Sequence, residues 1–385
     1  MKYVDEYRDG KLARAIAETI RAEADPAKTY HFMEFCGGHT HAISRYGLED
    51  LLPGNVRMIH GPGCPVCVLP IGRIDEAIEL AKNPKVTLLT YADLMRVPGS
   101  KGQSLIKAKA AGSDIRMIYS TLDALRIAEE NPDREVVFFA IGFETTTPPT
   151  ALAIKAAEKK GLANFSVFCN HVLTPSAIRA ILEAPKTGRL PPVKIQGFIG
   201  PAHVSVVIGS NPYRVFVEEF GQRIVVSGFE PLDVMQSVLM LVRQVNEGRA
   251  AVENQYIRAV VPEGNLQAQK LCDEVFDLRD TFEWRGLGYM ERSALKLRDE
   301  YARFDAEKRF VVPRIHASDN PACECGVILI GAKQPADCRL FGTVCTPETP
   351  MGSCMVSSEG ACAAHWTYGR FRDKAKKQDE RRRAS

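Results

Sequence analysis

Cys36-Gly37-Gly38-His39-Thr40-His41 places one thiol and two imidazoles within six residues. Thiolate and imidazole are ligands suited to iron, zinc and copper. Two glycines directly after the cysteine let the backbone approach a bound group closely. A buried cysteine beside a glycine-rich turn, with His39 and His41 as satisfied polar residues, is the plain alternative. The cysteine motifs that follow favour the functional reading.

Gly61-Pro62-Gly63-Cys64-Pro65-Val66-Cys67 carries the Cys-x-x-Cys spacing. Two such sulfurs chelate one metal or close a small disulfide, and a helix starting at Pro65 would lower the first thiol's pKa. Redox work or transient metal binding ranks ahead of a structural zinc site, for which Cys36 and His39 would have to supply the other ligands. Gly142-Phe143-Glu144-Thr145-Thr146-Thr147 ends an apolar run and precedes two prolines. Its threonines read first as helix caps. Glu144 is expected to face the same cleft as the three thiols, as a proton acceptor or an iron-orienting group.

Six further cysteines, Cys323, Cys325, Cys338, Cys345, Cys354 and Cys362, crowd the C-terminal region. Four thiolates suffice for a [4Fe-4S] cluster. Zinc ribbons prefer repeated Cys-x-x-Cys pairs, and none occurs in this segment. Iron–sulfur is therefore the expected cofactor. Spacing alone leaves the ligand set open; Cys325, Cys338, Cys345 and Cys362 are the preferred four. Cys169 and Cys272 stand apart and are expected to pack as small apolar residues.

The elements that must position these groups alternate. A helix is expected over residues 11–24, then strands at Tyr30–Phe35, Val56–His60, Val86–Thr90, Ile115–Tyr119, Val136–Ile141, Phe165–Cys169, Val193–Ile199 and Arg223–Val226, with helices between most of them. Such alternation predicts an α/β fold with parallel sheets. Roughly eight strands suggest two α/β units followed by a cysteine-rich [4Fe-4S] region. The expected division is 1–130 with the Cys36 and Cys64/Cys67 motifs, 131–250 with Glu144, and 251–385 as the iron–sulfur region, with the N-terminal helix as a candidate to pack on it. Beyond Asn254, polar helices and loops are expected, including Leu266–Val275 and Glu291–Glu300. In open α/β sheets ligands bind beyond the carboxyl ends of strands. Cys36, Cys64, Glu144, Asn170-His171 and His203 all fall there, which predicts one shared cleft.

The chain has 385 residues, 25% of them charged, and a net charge of +3. That balance points to no polyanion partner. The basic tail, Arg370 to Arg383, carries acids and lacks aromatic interleaving, so a solvated, disordered terminus is expected rather than a nucleic-acid interface. No apolar run is long enough to span a membrane and no signal peptide is visible, so a cytoplasmic protein is expected. Eleven cysteines in such a compartment point to metal or redox chemistry.

The three early motifs in this order, followed by Cys345-Thr346-Pro347-Glu348 through Cys354 to Cys362, resemble the HypD family of [NiFe]-hydrogenase maturation proteins. The resemblance runs from the first helix to Ala364. It implies a metallocofactor-assembly scaffold with redox activity rather than a free-standing enzyme. On it the Fe(CN)2CO unit would be built, with iron held between Cys36 and the N-terminal cysteine of the small partner HypC. HypE, fed by HypF, would deliver cyanide. The [4Fe-4S] region and the Cys64/Cys67 pair would supply electrons, since attaching cyanide from a thiocyanate carrier is formally reductive. His39 or His41 would donate protons or hydrogen bonds. Two other readings compete: a ferredoxin-linked dithiol–disulfide reductase, which would need Cys64 and Cys67 but not Cys36, and a colourless zinc protein.

Overall fold

A computed structural model describes residues 5–188 and 190–370. The basic tail expected to be disordered lies, beyond Arg370, outside the described residues. Nine short strands build two all-parallel sheets: β1 (Tyr30–Glu34), β2 (Val56–His60), β3 (Val86–Thr90), β4 (Ile115–Met117), β5 (Glu135–Gly142), β6 (Phe165–His171), β7 (Gly197–Gly200), β8 (Ile224–Val226) and β9 (Val252–Asn254). The first sheet runs β2-β1-β7-β8-β9 and the second β4-β3-β5-β6. Helices cover the sheet faces, which explains the continuous apolar runs: Val136 to Ile141 are all buried.

The expected boundary between residues 130 and 131 falls inside the second sheet, where β3 pairs with β5. The first sheet is assembled from chain on both sides of the second, because β7 to β9 return to β1. The helix Gly10–Glu23, capped by Asp9, packs on the helix Pro231–Asn246 rather than on the cysteine-rich region. Arg243 Nη2 donates to Glu23 Oε1 at 2.7 Å across that contact.

After β9 the chain is richer in strands than its polarity suggests. The helix Leu266–Val275 forms as expected. Residues 291–300, expected as helix or loop, instead carry part of an antiparallel β structure: β10 (Phe276–Leu278) pairs with β13 (Leu295–Leu297), and β11 (Thr281–Trp284) with β12 (Gly288–Glu291). Hairpin pairing of short half-buried segments outweighs local helix propensity here. Among the described residues no helix is long and apolar enough to cross a membrane.

Candidate functional site

Each sheet has one point where the chain, having added a strand on one side, continues on the other. In the first sheet this lies between β1 and β7; in the second, between β3 and β5. Loops leaving the carboxyl ends of two such strands diverge and open a crevice. The two crevices face each other across a cavity of about 380 Å³. Cys36 follows β1 and His203 follows β7; Tyr91 to Leu94 follow β3, and Ile141, Gly142, Phe143, Thr145 and Thr146 end β5 and continue past it. Gly63, Pro65 and Val66 of the Cys-x-x-Cys loop and Glu359 of the C-terminal region complete the wall.

Cys36 caps the helix Gly37–Tyr46, with extended backbone (φ −153°, ψ 130°). Its thiol is buried. Burial pushes the thiol's pKa up, and the Glu359 and Glu34 carboxylates add to that, while the amides of Gly38 and His39 act against it. Gly63 explains how the second motif reaches the first. Its carbonyl accepts from the Gly37 amide at 2.9 Å, and a Cβ on it would fall 2.4 Å from the Cys36 nitrogen. Gly142, at φ +149°, turns the end of β5 where a Cβ would collide with Thr146 Oγ1.

Beneath Cys36 lies a group that sequence reasoning missed. Glu34, fully buried, accepts from the Cys36 amide (3.1 Å), the Thr40 hydroxyl and His60 Nδ1 (3.0 Å). Burial alone would lower the His60 pKa, but the hydrogen bond and charge of Glu34 raise it. The available signal was a carboxylate closing an apolar strand two residues before the cysteine, with a histidine at the same level of β2.

The structure disperses several residues expected to share the cleft. His39 turns inward, donating from Nε2 to the carbonyls of Ser227 (3.1 Å) and Gly228 (3.0 Å). Burial lowers its pKa, so it is a neutral ring whose Nδ1 keeps its lone pair. His41 packs edge-on against Tyr368. The imidazole at the cavity is His203, tilted against Phe229 with ring centroids 4.2 Å apart. Glu144 faces away, into a separate cavity of about 780 Å³ that Cys272 also lines. Thr174 donates to it from amide (2.9 Å) and hydroxyl (3.0 Å), yet burial raises its pKa to about 7. Asn170 and His171 are buried within β6, His171 bonded to Thr150 Oγ1 at 2.9 Å. Cys169 packs in the core as expected, and Cys272, partly buried, packs against the same apolar cluster while also lining that cavity.

Cys64 and Cys67 are joined in a disulfide, so as they stand neither offers a thiolate to a metal. The pair is buried against the C-terminal cysteines: Ser353 Oγ donates to the Cys67 carbonyl at 2.7 Å and lies 3.7 Å from Cys325 Sγ. From Cys325 the thiols continue as neighbours. Cys323 and Cys354 bond to Cys325, Cys354 Sγ lies 3.1 Å from Cys362 Sγ, and Cys345 sits within the field of Cys362 and Cys338. The preferred four omitted Cys354, but the structure sets it between Cys325 and Cys362. Hydrogen bonds from Cys323 and Cys354 hold the Cys325 pKa far below the thiol range. Among the described residues no three His, Cys, Asp or Glu side chains are arranged around a single ion. A four-iron cluster takes one thiolate per iron and needs soft donors spread around a larger body. Six thiols in one continuous group, four of them buried, fit that donor set.

The family model for HypD, described as the hydrogenase formation hypA family, matches residues 11–369. The chain belongs to the HypD family. The hydrogenase maturation factor HypD of Rhizobium leguminosarum bv. viciae is 71% identical over 382 residues, covering 99% of both chains. That of Cupriavidus necator is 65% identical over 373 residues, covering 97% of this chain and 98% of the relative. That of Escherichia coli K12 is 47% identical over 373 residues, covering 96% and 98%. All the motifs described above lie inside the matched HypD region, and hydrogenase maturation is the function at this level.

Proposed function

We propose that this HypD-family chain is the scaffold on which the Fe(CN)2CO unit of a hydrogenase is assembled, with iron as cargo held by Cys36 and by the N-terminal cysteine of HypC. The observation that carries this reading is the cavity itself: a thiol at a helix N-terminus, at the meeting of two switch-point crevices, with room beside it for a partner's tail. Few protein donors surround Cys36, which leaves coordination positions for cyanide and carbonyl. HypE, supplied by HypF, is the cyanide donor in this reading.

The chain's own residues divide the remaining work. Glu34 fixes the Cys36 backbone and His60. His203 and Glu359 face the cavity with a neutral imidazole and a carboxyl whose pKa burial raises, groups able to hold or release a proton there. The Cys64–Cys67 disulfide, once reduced, stores two electrons directly behind the Cys36 loop. A [4Fe-4S] cluster would be held by four of Cys323, Cys325, Cys338, Cys345, Cys354 and Cys362, and would supply electrons singly. Ser353 bridges that group to Cys67.

The dithiol–disulfide reductase reading is disfavoured by burial: Cys64 is 3% exposed and Cys67 fully buried, out of reach of a protein disulfide. The test is Cys36→Ala in cells carrying the other maturation proteins. Loss of hydrogenase maturation with a folded protein that still binds iron and sulfide is expected. Normal maturation would remove Cys36 from the iron site.

A further inference from the structure

The loop between β11 and β12 carries no motif, yet it touches three of the regions described above. Trp284 stacks on Phe143 of the β5 loop, ring centroids 6.0 Å apart. The Arg285 amide donates to the Val68 carbonyl, next to Cys67, at 2.7 Å. Gly286 lies backbone to backbone with Gly326, the residue after Cys325; a Cβ on Gly286 would fall 2.8 Å from Gly326 Cα. Arg285 is thereby fixed where the Cys-x-x-Cys helix meets the C-terminal thiols, and its charge acts on Cys325.

Its guanidinium is 2% exposed. The opposing charge is Asp319, with Oδ1 3.0 Å from Nε and the carboxylate 39% exposed. Nη1 is buried and has no hydrogen-bond partner among the described residues, and Nε is not aligned for one. A buried cation with unused donors is costly unless something negative shares its surroundings. Beyond Asp319, the groups within reach of its charge that can become negative are Glu283, on the same hairpin, and the cysteine thiolates across the Gly286–Gly326 contact.

We infer that Arg285 sets the reduction potential of the C-terminal thiol centre, its buried charge and free N–H groups favouring the form that carries one more electron. The inference rests on the reading of these cysteines as an iron–sulfur site. Cluster potentials follow net charge, burial and hydrogen bonds to sulfur, so each substitution has a sign. Arg285→Met shifts the midpoint to more negative potential. Arg285→Lys, keeping the charge, stays near the wild type. Asp319→Asn, freeing the cation from its partly exposed partner, shifts it positively.

The experiment is an anaerobic redox titration of the purified full-length protein and the three variants, followed by electron paramagnetic resonance, with iron and sulfide counted on each sample. Opposite shifts for Arg285→Met and Asp319→Asn at equal iron and sulfide support the role. Unmoved midpoints at full cluster content overturn it while leaving the cluster reading intact. Absence of iron and sulfide from the wild type overturns the cluster reading and the role together. If Arg285→Met does not fold, Arg285→Gln takes its place: a negative shift supports the role and an unmoved midpoint overturns it.

Discussion

Glu144 and Cys36 belong to facing motifs but do different work. Cys36 opens onto the cavity between the sheets; Glu144 points the other way and is held by Thr174. Its pKa, about 7 against 4.5 ordinarily, makes it a source of pH-dependent stability. Below pH 4.5 folded and unfolded states are both protonated. Between 4.5 and 7 the folded state alone keeps the proton, so its stabilisation fades as pH rises and is gone above 7. Glu144→Gln keeps the neutral form throughout. Its stability relative to wild type should rise by about 3 kcal/mol from pH 4.5 to pH 8. Urea unfolding of both proteins across that range measures this; a difference independent of pH would show that Glu144 is already ionised.

At the scale of elements, the site depends on loops brought closer than side chains permit. Gly63 is the tightest case, because the atoms a Cβ would meet are the Cys36 backbone, which has nowhere to move. Gly63→Ala should cost about 2 kcal/mol and reduce maturation by pushing the Cys-x-x-Cys loop off Cys36. A thermal melt with a maturation assay checks both, and an unchanged melt would mean the two loops are not in contact. Most strands were legible in the sequence: the expected Val56–His60 and Val86–Thr90 form as read, since buried parallel strands are short apolar runs. The small antiparallel strands after residue 275 were not, because their register is set by hairpin partners and their residues look polar. The direction of the Glu144 side chain was equally hidden. Position at a strand end fixes which loop a residue joins, not the face to which it turns.

At the scale of the whole molecule, partners distant in sequence decide the architecture. That β7 returns beside β1 is a pairing choice no local pattern records, and it explains why the expected cut at residue 130 crosses a sheet. The segment after β9 is fastened to the second sheet by charge. Arg73 donates to Glu307 (2.8 Å), Glu76 (2.7 Å) and the Cys169 carbonyl (3.1 Å), and Arg279 reaches the same Glu307. Burial would raise the Glu307 pKa, but Arg73 and Arg279 together bring it down to about 2. Arg73→Met leaves Glu307 and Glu76 partly buried and short of a counter-charge, and should destabilise the protein by about 3 kcal/mol. Chemical denaturation gives the value, and a loss below about 1 kcal/mol would mean the network behaves as a surface pair.

The proposed cargo iron on Cys36, in the cavity between the two switch points, is what every other role in the molecule serves. Infrared spectroscopy of the anaerobically purified protein, co-expressed with its maturation partners, tests it most directly, because cyanide and carbonyl stretches fall where protein absorbs little. Those bands are expected in the wild type and lost in Cys36→Ala, with sulfide content and the iron that accompanies it unchanged. Bands that persist in Cys36→Ala would contradict it.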